Sequence, residues 1–349
     1  MLVSLVLIAV ALVAILLLAL LWRRECRRAG VPVRPYVFWF PALLGLIAAV
    51  VFVSVGMPSG ALRLLDDMHS YRPEATRLIA GESLEKLDEK LPLMGLIHAL
   101  QAELGDHPSA AGWQSLSRLY SQLTRQTGLD ANNMAVQAAE RAVSMAPEDA
   151  DKRLLLAQAL IDANGGKLNA AAKQQIDKVL TQHPDYDGAW LLQAMAAIQA
   201  GDYALAETSF TALLTHHPHD KATELLQKSL DKVKGERARK EYFAQIKVEV
   251  TAGAEGKVPT GGTLFVFVQR AGAAGKPLAA KRVLLDQLPL TVTLAAGDWL
   301  GSLPQVDEKL VVGGRYAQGA GASVAQSQPL ASVPLMGTAG QLHARLQLP

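Results

Sequence analysis

The densest set of potential ligands in this 349-residue sequence is THHPHD, which holds His216, His217 and His219. Imidazoles this close together can bind a metal or contact haem, but metal sites usually gather ligands from several segments and orient them through outer hydrogen bonds. This trio ends an apolar helical stretch, and Pro218 is expected to splay the rings apart, so it reads as a solvated turn with no metal and no cofactor. The other reactive group is Cys26, the single cysteine, within WRRECRRAG at residues 22–30. It cannot close a disulfide within the chain, although the arginines around it can lower its thiol pKa. The sequence has no Cys-x-x-Cys-His, His-Glu-x-x-His or Gly-x-Ser-x-Gly motif and no phosphate loop, and QGAGAS at 318–323 lacks the third glycine of a dinucleotide fingerprint. No catalytic residue emerges, and the chain reads as a non-enzyme.

The elements around these groups decide what they face. Residues 2–21 carry no charge, Pro or Gly, and about 20 apolar residues at a 1.5 Å rise match a bilayer core of roughly 30 Å. A second uncharged run from 36 to about 56 opens with Tyr36 and Trp39, which suit the headgroup boundary. A cleaved signal peptide would place its positive charge before the apolar run, whereas here the arginines follow it. Two transmembrane helices are expected within a membrane part covering residues 1–56. Between them Arg23, Arg24, Arg27, Arg28 and Arg34 oppose only Glu25, so the loop at 23–35 should stay cytoplasmic. Both termini then lie on the far side, the periplasm of a bacterium with this inner-membrane topology. Cys26 sits on the reducing side, where a redox role is unsupported.

Composition agrees with a membrane-anchored, multi-domain chain. It is 50% hydrophobic with a formal charge of +2, so there is no basic excess to attract nucleic acid. Nearly 300 exported residues without disulfides need ordinary hydrophobic cores, and the length allows two.

Pro108, Pro147, Pro184 and Pro218 recur at intervals of 39, 37 and 34 residues, and a period near 34 signals tetratricopeptide repeats. Counting from Asp187, Trp190 is fourth, Ala206 twentieth, Phe210 twenty-fourth and Pro218 thirty-second, as the pattern prefers. The small Ala206 lets helix B approach helix A, Phe210 fills the space between helices, and Pro218 stops helix B. Aligning on the prolines gives Ala135, Ala139 and Ala142 in one helix B, and Ala172, Ile176 and Val179 in the next. Trp113, Leu116 and Tyr120 belong to the first helix A. An all-α solenoid is expected over 93–243, opened by a helix at 93–104 and closed by a charged helix at 221–243. Residues 57–92 read as a spacer with one helix near 75–89.

After residue 243 the texture changes. IKVEV, TLFVFVQ, KRVLL, LTVTL, KLVVGGRY and QLHARLQL are short β-rich runs between Gly- and Pro-bearing turns. They predict an all-β, Ig-like antiparallel sandwich over 244–349.

This order of parts, with TLFVFVQRAGAAGKPLAAKRV and LPLTVTL in the β region and GWQSLSRLY, NGGKL and GDYALAETSF in the repeats, resembles the CcmI (CycH) proteins of c-type cytochrome maturation. The resemblance covers nearly the whole chain, and 264–294 is its most specific part. It implies a periplasmic chaperone domain that holds apocytochrome c, through the client's C-terminal helix, and a membrane part that contacts haem-ligation components. Two departures bear on the groove: extra residues around TRQTGLDANN, and Ala194 where the repeat pattern prefers Gly.

Partner binding also has a physical basis in the repeats themselves. Helix A lines the concave face of such an array. The register points Gln114, Arg118 and Ser121, then Leu154, Gln158 and Ile161, then Leu191, Met195 and Ile198 into it. An amphipathic helix could bury its apolar face on this mixed surface, with the flexible Met195 adapting to it. The rival reading is a membrane-tethered repeat scaffold for another cell-envelope complex.

Overall fold

The computed structural model describes residues 24–25, 28, 66–86, 91–218, 221–253, 261–272, 275–319 and 323–348. They fall into two compact units, Met1–Pro184 and Asp185–Pro349. The two predicted spans, Cys26, Arg23, Arg27 and Arg34 lie outside the described residues. Arg24 and Arg28 are helical and exposed, and Arg28 pairs with Glu25 at 3.7 Å. Among the described residues no helix is long and apolar enough to cross a membrane.

In the first unit α1 (Arg72–Ile79), α2 (Leu93–Asp106), α3 (Ala110–Thr127), α4 (Asn132–Met145), α5 (Ala150–Ala163) and α6 (Ala170–Gln182) follow one another. The helix expected near 75–89 is shorter and earlier, and one 3₁₀ turn at Leu84–Lys86 follows it. Pro73 is its second residue, a place in the first turn where the missing N–H has no partner to lose. Its segment is packed rather than free: Ala75 and Leu78 are fully buried, and Arg72 pairs with the buried Glu103 at 2.6 Å. Tyr71 lies so close to α2 that a Cβ at Gly95 would sit 2.4 Å from its ring.

Local signals place the helix ends. Ser109, Asp149 and Asn169 accept hydrogen bonds from the N–H groups of Gly112, Lys152 and Ala172, filling donors that a helix start leaves open. The extra residues around TRQTGLDANN lengthen helix A: α3 has 18 residues where α5 has 14, about one additional turn, ended by Gly128 at φ 73°. Helix-B residues bury as the repeat phase requires. Ala139, Ala142, Ala172, Ile176 and Val179 are all fully inaccessible. The smallness of Ala135 lets Ser117 reach past it and donate to its carbonyl at 2.9 Å.

The second unit opens with α7 (Asp187–Ala200), α8 (Tyr203–His216) and α9 (Thr223–Tyr242). Gly201, at φ 73°, turns the chain between α7 and α8, and Asp202 caps α8 on Leu205 N. Ala194, Ala197, Ala206, Phe210 and Leu213 form one core with Leu230 and Val233 of α9. Ala194 is fully buried, so the departure from Gly is accommodated without opening the helix pair. Phe243, expected to end the helical region, is 2% exposed and lies in the core of the β domain, 5.5 Å edge-on from Trp299.

Among the described residues eight strands make that domain: β1 (Gln245–Thr251), β2 (Gly262–Arg270), β3 (Ala279–Leu285), β4 (Leu290–Ala295), β5 (Leu310–Gln318), β6 (Gln328–Pro329), β7 (Val333–Pro334) and β8 (Leu342–Gln347). One sheet runs β4-β1-β8, with β1 antiparallel to β4 and parallel to β8; the other runs β3-β2-β5-β6, with β7 also on β5. Cross-strand rows such as Leu294, Ile246 and Leu342 put apolar residues on one face of the first sheet. Leu264, Val266 and Val268 of β2 meet them in a shared core, which makes a sandwich. The outer edge of β4 is blunted: Lys281 donates to Thr293 O at 2.6 Å and Asp298 accepts from Ala295 N at 2.8 Å, occupying groups that would otherwise invite another strand.

Candidate functional site

The predicted contact residues lie on α3 and α5 of the first unit and, separately, on α7 of the second. In the first unit Arg118 is exposed and Gln114, Leu154 and Gln158 are half-buried. Gln158 Nε2 donates to Asp162 Oδ1 at 2.7 Å, and Arg125 of α3 reaches Asp162 at 4.0 Å. This polar chain joins the two helix-A surfaces of the first unit; sequence reading missed Arg125 and Asp162, whose spacing of 37 positions carries no local signal.

Two predicted face residues are not available to a partner. Ser121 is 9% exposed and Ile161 is 3% exposed. Three residues along a helix rotate the side chain back by about 60°, so the third position of each predicted triplet turns away from the second, toward neighbouring helices. Ile198 obeys the same geometry and packs against the core of α7, α8 and α9.

Of the predicted contact residues, the exposed apolar ones are on α7. Leu191 and Met195, one turn apart, are 45% and 60% exposed. Beneath them Ala194 and Gln193 are buried, the latter 2.9 Å from Ser209 Oγ, so this short apolar stripe stands on a packed base.

The histidine turn behaves differently from the expectation. His216 Nδ1 lies 3.0 Å from Asp187 Oδ1, and His217 Nε2 lies 2.5 Å from Asp187 Oδ2. The rings are not splayed, because Pro218 follows both and the hairpin brings the first residue of α7 beside the last turn of α8. His219 lies outside the described residues. Among the described residues no three His, Cys, Asp or Glu side chains are grouped to hold a metal ion. The arrangement is a clasp that closes the hairpin bearing Leu191 and Met195.

Burial alone would raise the Asp187 pKa, but the hydrogen bonds from His217 and His216 outweigh it and hold the carboxyl below the ordinary aspartate range. The ionised form is thus favoured on folding: its stabilisation is present above the unfolded-state pKa and is lost as pH falls through the lowered folded one. The carboxylate is 44% exposed, so solvent screening limits its worth. Asp187→Asn should cost about 0.5–1 kcal/mol at neutral pH and flatten the loss of hairpin stability below about pH 4, read by amide exchange in α7 and α8.

Comparison with known proteins bears on both regions. The family model described as the cytochrome c-type biogenesis protein H TPR domain matches residues 68–224, so it includes α1. The model for the Ig-like domain of the same protein matches residues 244–312. A cytochrome c-type biogenesis protein CycH from Pseudomonas aeruginosa is 27% identical over 248 residues, 65% of this chain and 58% of that protein. Its namesake from Bradyrhizobium diazoefficiens is 29% identical over 196 residues, 56% of this chain and 48% of that one. The chain thus spans about half the length of the curated relatives it matches. Among solved structures, a tetratricopeptide repeat protein from Parabacteroides merdae is 17% identical, with a TM-score of 0.35 over 63% of this chain and 74% of that one. With consecutive helical-repeat and Ig-like regions matching the two domain models, and two relatives carrying one name, the chain belongs to the CcmI (CycH) family of cytochrome c biogenesis proteins with tetratricopeptide repeats.

Proposed function

We propose that this protein is an apocytochrome c chaperone and assembly factor: it holds haem-free cytochrome c on its helix-A surfaces for delivery to the haem-ligation components, and performs no chemistry itself. The observation that carries the reading is the exposed Leu191–Met195 stripe on a fully packed hairpin, the type of surface on which an amphipathic helix buries its apolar face. Arg118 and the Arg125–Asp162–Gln158 chain supply polar partners on the first unit. The membrane is the other partner: two spans at 1–56 hold the chain in the bacterial inner membrane, the Arg-rich loop is cytoplasmic, and both termini and the domains after residue 56 are periplasmic.

The test is direct. Detergent-solubilised full chain should retain apocytochrome c and release it when haem is attached. Equal binding of haem-free and haem-bound forms, or of neither, would remove the chaperone reading and leave the membrane-tethered scaffold.

A further inference from the structure

Helix α9 is held by two separate cores. Leu230 and Val233 belong to the core of the last hairpin, while Phe243, just past the helix end, belongs to the sandwich core with Tyr242 packed against it. Between them, residues 234–241 add no side chain to either apolar core; Glu236 and Arg239 are half-buried but pair with each other. At the start of this bare stretch is Gly235, exposed, with nothing within 4 Å of where a Cβ would stand. No neighbour excludes a side chain there, so the glycine's effect is to weaken the helix between its two attachments, since only proline forms helix less well.

The bare stretch touches the hairpin through exposed polar contacts. Arg237 Nη1 donates to Glu207 at 3.0 Å, and Lys240 Nζ donates to the carbonyl of Gly201 at 2.7 Å. Contacts of this kind are weak and salt-sensitive compared with a buried apolar core. Behind them lies an open cleft of about 460 Å³, lined by Gly201, Tyr203, Arg237, Lys240 and Ala244 among others.

We propose that α9 is a hinged strut. It bends at Gly235, the sandwich swings with its C-terminal half, and the Arg237–Glu207 and Lys240–Gly201 contacts latch the closed position; releasing them opens the cleft. This holds whatever the hairpin binds.

The experiment uses the full chain carrying Cys26→Ser, with spin labels on Thr211→Cys of α8 and Lys247→Cys of β1, both exposed positions. Pulsed dipolar spectroscopy should give one narrow distance distribution. In Arg237→Ala/Lys240→Ala it should broaden at least twofold, and adding Gly235→Ala should narrow it again. Amide exchange of residues 234–241 should rise about tenfold in the latch variant and fall when Gly235 is replaced. A distribution equally narrow in all variants would overturn the hinge in favour of a rigid rod, and a broad one that Gly235→Ala leaves unchanged would place the motion elsewhere.

Discussion

Phe243→Ala is expected to cost about 3–5 kcal/mol, the usual range for removing a buried aromatic ring. Phe243 is 2% exposed and contacts Tyr242 and Trp299 edge-on at 4.8 and 5.5 Å, so the neighbouring elements cannot collapse into the space without losing these ring contacts as well. The loss should concentrate in the sandwich. Amide exchange is therefore the suitable readout, because the hairpin and the sandwich have separate cores and need not unfold in one step. Accelerated exchange in β1 and β4, with α7 and α8 changed far less, is the expected pattern. Equal acceleration in both would mean that the two cores melt as one.

The second large effect concerns binding. Leu191 and Met195 together expose enough side chain that a client helix would cover on the order of 100 Å² of apolar surface there, worth about 2.5 kcal/mol at 25 cal/mol per Å². Leu191→Asp/Met195→Asp should forfeit that contribution, a loss of roughly 70-fold in affinity for apocytochrome c measured by titration. Both positions are solvent-facing, so the fold should survive, with helical content by circular dichroism unchanged. Affinity equal to the unmodified protein would place the client on a different surface. Arg118→Glu should change mainly the salt dependence and the rate of association, as a rim charge does.

Much of the architecture was legible because its causes are local. The prolines and alanines of the repeats act through sterics over one helix pair, so Ala172, Ile176, Val179, Ala206 and Phe210 bury as their positions in the unit demand. The same holds for the long strands, since alternation in IKVEV and LHARLQ reports two-sidedness directly. Strands β6 and β7 escaped notice: each has two residues, one of them proline, and they exist only because β5 offers an edge.

The sequence by itself determined the repeat phase, the β-rich C-terminal third, the family resemblance and the arginine excess of the segment at 23–35. Tertiary structure alone decided that His216 and His217 clasp Asp187 across 29 and 30 positions, that Ser121 and Ile161 turn inward, and that Phe243 serves the sandwich rather than the helices. The reason is common to all three. Periodicity tells which side of a helix is apolar, but an identical side chain is a contact residue or a core residue according to what other segment the fold sets beside it, and that information lies tens of residues away.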